Sequence, residues 1–372
     1  MLNLVVNHHR GKCCVFYKGF DESLLEISYL SPDIAIIDSK LQKLYPQYIE
    51  KISFVQHKIF LKSGEKVKTL KGVFNLLKDI ENLNIIPINH VFVLGGATIQ
   101  DTAGTALALL KRGIKWTYMP TTLLAQTDSC IGSKTSINGN ESKNMYGLFF
   151  SPNNVYIVSD FLKSLPDIEI LSGIGDALHY LLLDIGITYQ YALKTLQKIS
   201  NIGLRKFVDE PRNVYLLSST VHKIKKKYIE EDEFDQSKRK VLNLGHSFGH
   251  AVEAFFNYEV PHGVGVIIGL IMAIDISKKH FERKNDLIFI DSLNALKNEM
   301  HNLLNQNYST SIKIIFLTIS NDYERFLKYL SKDKKNTQKN NYNLVLFKNN
   351  IVSIECVKKQ DMIKYIKGII SS

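Results

Sequence analysis

Little in this chain would assign it at a glance. Its 372 residues hold only four cysteines, Cys13, Cys14, Cys130 and Cys356, with no CxxC pair and no regular spacing. That argues against a disulfide framework and for reduced thiols, as in the cytosol. No apolar run approaches the roughly 20 residues that cross a bilayer. The opening "MLNLVVNHHRGKCC" lacks the basic region, apolar core and small-residue cleavage site of a signal peptide, so a cytoplasmic protein without a membrane partner is expected. Internal repeats and long low-complexity linkers are missing. No RNA- or DNA-binding motif is visible, so the net charge of +11 is not in itself a nucleic-acid footprint. It suits a small, multiply anionic substrate equally well.

The length exceeds what one hydrophobic core usually serves, which predicts two domains. In the first half, "DIAIID" (33–38) and "HVFVLGG" (90–96) are short apolar runs stopped by Asp or Gly, as in buried parallel strands. "TLKGVFNLLKDIENL" between them has helical spacing. "IQDTAGTALALLKRG" reads as a helix ending at Gly113, and "KWTYMP" as the next strand. Strand–helix–strand order predicts a doubly wound parallel sheet over residues 1–165. Beyond it, long helical stretches such as "IEILSGIGDALHYLLLDIG" predict a mostly α-helical domain over 166–372, with a hairpin at "YNLVLFKNNIVSIECV".

Three segments carry chemistry. "VLGGATIQDTAG" runs a strand through Gly95 and Gly96 into a helix whose first N–H groups can cradle a pyrophosphate. A full GxGxxG is absent, so a tight strand–helix turn explains it as well. "PTTLLAQTDSCIGSKTSINGNESKNMYG" (120–147) gathers Asp128, Lys134, Lys143 and Asn144 among small polar residues, a composition suited to an anionic, hydroxylated ligand. "NLGHSFGHAVEAFFNYEVPHG" places His246 and His250 four apart, on one helical face, with His262 on the following segment. Asp176, on an otherwise apolar helix, needs compensation and is the natural carboxylate partner. Catalytic zinc commonly takes three protein ligands and keeps one position open. Spacing alone leaves metal ligands and satisfied core histidines both open.

The blocks "PTTLLAQTDSCIGSKTSIN", "KNMYG", "LNLGHSFGHAVE" and "PHGVGVIIG", in this order, resemble the 3-dehydroquinate synthase family of sugar-phosphate cyclases. The similarity runs from about Asp38 to Lys335. It implies a Rossmann-like NAD-binding domain, a helical second domain, a divalent metal (zinc, or cobalt) and a homodimer. By this resemblance the metal ligands are Asp176, His246 and His262, and His250 assists proton transfer near the phosphate. Asp128, Lys134, Asn144, Lys225, Arg239 and Asn243 fall on substrate-binding positions, as does Lys334 or Lys335. Arg112 matches an arginine that serves the neighbouring subunit's phosphate site. For NAD, Asp38 fits the ribose-binding acid, with Glu65 and Lys68 beside it. Gly95, Gly96 and Asp101 fit the phosphate loop, with Thr121, Thr122 and Lys143 nearby. The implied reaction is a closed redox cycle: transient oxidation by NAD, β-elimination of phosphate, return of the hydride, ring opening and aldol closure.

This sequence also departs from the family's pattern. The usual metal-binding glutamate is Asp176, and a usual substrate-binding lysine is His179, a group that titrates near neutrality. The third glycine of the phosphate loop is Ala97, a usual GGK is Gly132–Ser133–Lys134, and HGEA is His262–Gly263–Val264–Gly265. The leading expectation is 3-dehydroquinate synthase activity on a heptulosonate 7-phosphate. Its rivals are a divergent cyclase acting on another sugar phosphate such as sedoheptulose 7-phosphate, a metal-dependent alcohol dehydrogenase of the glycerol dehydrogenase type, and a non-catalytic homologue.

Overall fold

The computed structural model describes residues 3–140, 142–183, 185–281, 287–331, 341–348 and 351–368. The chain forms two units, Met1–Leu165 with Val208–Gln236, and Pro166–Phe207 with Ser237–Ser372. The split is therefore not one cut of the sequence: the long helix Pro211–Glu231 returns to the first unit.

The first unit is built on β1 (Asn3–His8), β2 (Gly11–Tyr17), β3 (Ile34–Asp38), β4 (His57–Leu61), β5 (His90–Gly95), β6 (Lys115–Pro120), β7 (Lys134–Ile137), β8 (Tyr146–Phe149) and β9 (Asn154–Ile157). Seven of these make one sheet in the order β1-β2-β9-β6-β5-β3-β4. All its neighbours are parallel except β1 and β2, which form an antiparallel hairpin. Successive side chains of a strand point to opposite faces, and here both faces are covered. Ile34, Ile36, Val91, Val93, Trp116 and Tyr118 pack on one side. Ala35, Ile37, Phe92, Leu94 and Met119 pack on the other. This explains why β3 and β5 are continuous apolar runs rather than alternating ones.

The strand order reverses at the β3–β5 pair. From β3 the chain steps outward to the edge strand β4, then back to β5 and on to β6 on the other side. Open parallel sheets bind ligands at such a switch point, beyond the carboxyl ends of the strands. Ile37 pairs with Leu94 here, so Asp38 and Gly95, the next residues, end neighbouring strands.

The second unit is helical. Its centre is the helix His262–Phe281, buried continuously from Gly263 to Ser277. A helix apolar all round belongs in an interior. Asp167–Leu181 and His246–Phe255 pack against it, and a two-stranded antiparallel pair, β10 (Asn341–Lys348) and β11 (Ile351–Lys358), supplies the predicted hairpin. Among the described residues no helix is long and apolar enough to cross a membrane. All four cysteines are free.

Candidate functional site

Glycine lets three helices of the second unit approach closely enough for their polar side chains to meet. A Cβ added to Gly263 would lie 1.9 Å from the Ser172 carbonyl oxygen, and one on Gly175 would lie 2.1 Å from that of Gly263. The Gly263 N–H donates to Ser172 Oγ at 2.8 Å across the same contact. Backbone thus touches backbone beside Asp176 and His262, and any side chain there would push the two apart.

Asp176, on the helix Asp167–Leu181, is 1% exposed. Its Oδ1 lies 3.5 Å from His246 Nε2 and 3.5 Å from His262 Nε2. Among the described residues, no hydrogen bond reaches that oxygen. Nδ1 of His246 faces the Leu244 carbonyl oxygen at 3.3 Å, and Nδ1 of His262 faces Glu253 Oε1 at 2.8 Å. Both partners only accept, so each Nδ1 donates there and each ring turns Nε2 toward Asp176. Two imidazole nitrogens converging on one buried carboxylate oxygen make a donor set that could hold a divalent cation. The spacing suits one: donors about 2.1 Å from a tetrahedral zinc ion stand about 3.4 Å apart. Glu253, 6% exposed, gives His262 the outer carboxylate that usually orients a metal-binding imidazole.

Two further histidines join the cluster. His179, three residues after Asp176 and 1% exposed, meets the His246 ring edge-on with centroids 4.5 Å apart. His250 is exposed, and its ring stacks on His262 at 5.5 Å. Among the described residues, triads of donor atoms within 4.8 Å of one another are Asp176–His179–His246 and His250–Glu253–His262. The expected set of Asp176, His246 and His262 straddles these two triads, joined through Asp176 Oδ1. Arg239 and Asn243 lie nearby in sequence, in the turn Lys238–Asn243. Arg239 is 4% exposed, and Asn243 donates to the Lys240 carbonyl oxygen at 2.8 Å.

The first unit gathers the remaining residues into three groups. At the switch point stand Asp38, which accepts from the Lys40 N–H at 3.1 Å, and the Gly95–Gly96 turn. Gly96 caps the helix Ala97–Leu109 with no side-chain bond to the first turn, leaving N–H groups that can hold an anion. A Cβ on Gly96 would stand 2.9 Å from Thr122 Cγ2, so glycine here keeps the turn against Thr121 and Thr122. Thr121 donates its N–H to the Gly95 carbonyl oxygen, and Thr122 Oγ1 caps the helix Leu123–Thr127.

A second group is a polar chain. Lys68 bonds Asp101 and Asn144, each at 2.6 Å, Asp101 accepts from the Ser136 N–H at 3.0 Å, and Glu65 accepts from Asn138 at 2.7 Å. Asn138 in turn accepts from the Asn144 N–H at 3.0 Å. Glu65, Lys68 and Asp101 therefore sit with Asn144. Burial pushes the Asp101 carboxyl above its usual range, against the pull of Lys68. The third group pairs Lys225, 4% exposed, with Asp128 at 2.8 Å. Behind it His222 touches Tyr17 Oη at 2.8 Å and has its pKa lowered to about 3, by burial first and Lys225 second. His222 is a neutral core imidazole.

Lys134 stands apart from these groups, bridging to Asp235 at 2.7 Å. Lys143 is exposed, and Arg112 is exposed at the left-handed end of the helix before Gly113. Lys334 and Lys335 lie outside the described residues. Sequence reasoning missed Glu253, although an acid three residues after His250 on an apolar helix was a usable signal. It also missed β7 and β8 within the polar segment, which pair across the connection 138–145.

Comparison with known proteins adds the rest. Residues 58–172 match the 3-dehydroquinate synthase N-terminal family model, and residues 179–336 match its C-terminal counterpart. A curated 3-dehydroquinate synthase from Dictyoglomus thermophilum is 33% identical over 334 residues, spanning 87% of this chain and 86% of the relative. A crystal structure of 2-deoxy-scyllo-inosose synthase complexed with carbaglucose-6-phosphate, NAD+ and Co2+ superposes with a TM-score of 0.81 at 20% identity, over 98% of this chain and 99% of that one. The 2-epi-5-epi-valiolone synthase ValA from Streptomyces hygroscopicus subsp. jinggangensis 5008, with NAD+ and Zn2+ bound, gives 0.75 at 17% identity, over 100% of this chain and 98% of that one.

Proposed function

Because this chain belongs to the 3-dehydroquinate synthase family, whose members are enzymes, we propose that it is a metal- and NAD-dependent sugar-phosphate cyclase. It converts 3-deoxy-arabino-heptulosonate 7-phosphate to 3-dehydroquinate with release of phosphate, a lyase reaction. The observation that carries the reading is the buried Asp176 carboxylate facing Nε2 of both His246 and His262, each at 3.5 Å. When bound there, a divalent ion such as zinc or cobalt polarises substrate oxygens, and NAD supplies a reversible hydride acceptor.

The chain's own groups do the rest. His246 and His262 present Nε2, and Glu253 holds the second ring in place. His250 is the proton carrier, held against His262 with a face open to solvent. Arg239, Asn243, Lys134 and Lys225 bind the substrate's carboxylate and phosphate. A guanidinium suits the carboxylate because it can bond both oxygens. Asp128 pairs with the Lys225 ammonium and aims it, and Asn144 and His179 hold substrate hydroxyls. Lys334 and Lys335 remain assigned to phosphate on sequence alone. Asp38, Glu65, Lys68, Gly95, Gly96, Asp101, Thr121, Thr122 and Lys143 receive the dinucleotide, with the ribose at Asp38 and the pyrophosphate at Gly95–Gly96. The enzyme works as a cytoplasmic homodimer in which Arg112 serves the partner's phosphate site; sedimentation showing a monomer at assay concentration would refute the dimer.

The departures at Asp176 and His179 favour one other reading, a cyclase for a different sugar phosphate. Phosphate release should be measured with zinc or cobalt and NAD, using the heptulosonate phosphate, sedoheptulose 7-phosphate and glucose 6-phosphate in parallel. Release with the first and no net NADH supports the proposal. Release only with another sugar phosphate transfers it to the divergent cyclase. Accumulating NADH indicates an alcohol dehydrogenase, and no turnover without metal uptake indicates a non-catalytic homologue.

A further inference from the structure

We propose that His179 is itself a metal donor, giving the ion four protein groups: Asp176, His179, His246 and His262. This rests on the metal site proposed above and goes beyond it, since His179 there was assigned only to substrate. The helix Asp167–Leu181 carries Asp176 and His179 three residues apart, a spacing that puts both on one face. Both are 1% exposed, within a helix whose neighbours Ala177, Leu178 and Leu181 are buried and apolar. One donor atom from each of Asp176, His179 and His246 lies within 4.8 Å of the others.

Donors about 2.1 Å from one ion stand about 3.4 Å apart at the tetrahedral angle and about 4.2 Å apart when opposite each other. The observed limit of 4.8 Å exceeds this by less than turning an imidazole about its χ2 bond can move its nitrogens. The rings of His179 and His246 meet at 83° with centroids 4.5 Å apart, an edge-to-face contact rather than a stack. A short carboxylate followed by an imidazole one turn on offers two donors from a single helix. Three imidazoles and one carboxylate suit zinc and cobalt better than magnesium or calcium. Four protein groups would leave room for a substrate oxygen only if the ion took five donors.

Three proteins separate this from the broader reading: the unmutated chain, His246→Ala and His179→Leu. Zinc and cobalt affinity are measured by dialysis with elemental analysis, and the visible spectrum of the cobalt form reports its coordination. Loss of an outer partner of a metal ligand already costs about 10- to 100-fold in affinity, so loss of a direct donor should cost about 100-fold or more. His179→Leu should therefore bind at least about 100-fold more weakly, with an altered cobalt spectrum. Affinity within about twofold of the unmutated chain and a superimposable spectrum overturn the inference and leave His179 a substrate contact. Failure of the unmutated chain to bind any ion sinks the metal site itself, a distinct outcome. Should His179→Leu not fold, X-ray absorption of the zinc-loaded unmutated protein decides. Three imidazoles around zinc support the proposal and two overturn it.

Discussion

In the first unit three acids have each met a lysine: Asp128 with Lys225 at 2.8 Å, Asp101 with Lys68 at 2.6 Å and Asp235 with Lys134 at 2.7 Å. In the second unit Asp176, no less buried, faces imidazole nitrogens at 3.5 Å. The first arrangement is neutral at rest and pre-aims its ammonium groups for an anionic visitor. The second offers one carboxylate oxygen and two imidazole nitrogens that a cation could share. Buried charge therefore has different uses in the two places: pairing positions a side chain, whereas a carboxylate among imidazoles is the proposed ion site.

The contrast is broken most severely by His246→Ala, which should abolish uptake of zinc at the Asp176 cluster while leaving the helical circular dichroism intact. Full zinc retention would refute its ligand role. Next comes Lys225→Met, which removes the lysine paired with Asp128 and should cost about 2 kcal/mol in urea unfolding. That is less than the ~3–5 kcal/mol of a fully buried pair because the Asp128 side chain is 28% exposed. An unchanged midpoint would mean the pair is not a structural one. Glu253→Gln should weaken metal binding by about 10- to 100-fold with little change in the melting of the metal-free protein; titration calorimetry reads this directly. Smallest is Lys134→Gln. Its bridge to Asp235 is between partly exposed groups, so stability should move by no more than ~0.5 kcal/mol. A larger loss would put Lys134 among the structural pairs.

The strands at 33–38, 90–95 and 115–120 were legible because both-face burial writes an uninterrupted apolar run, and the helical second half because its periodicity is long. The hairpin of β7 and β8 was not, since four-residue strands of Lys, Thr, Ser and Gly carry no alternation and exist through their pairing. Nor did the sequence announce that Pro211–Glu231 would rejoin the sheet-bearing unit, a matter of long-range contact. Within the site, the family blocks marked Asp176, His246 and His262. The placement of His179 beside them, and the carboxylate behind His262, depend on how three helices approach. No single segment records that approach.

The contact of Gly175 and Gly263 with neighbouring backbone limits how this corner of the protein can vary. Main chain resting on main chain has no rotamers with which to yield. Even one added methyl group would have to part whole helices, and the penalty would fall on the oily interior around His262–Phe281. The positions of Asp176 and His262 are thereby tied to the rigidity of the scaffold.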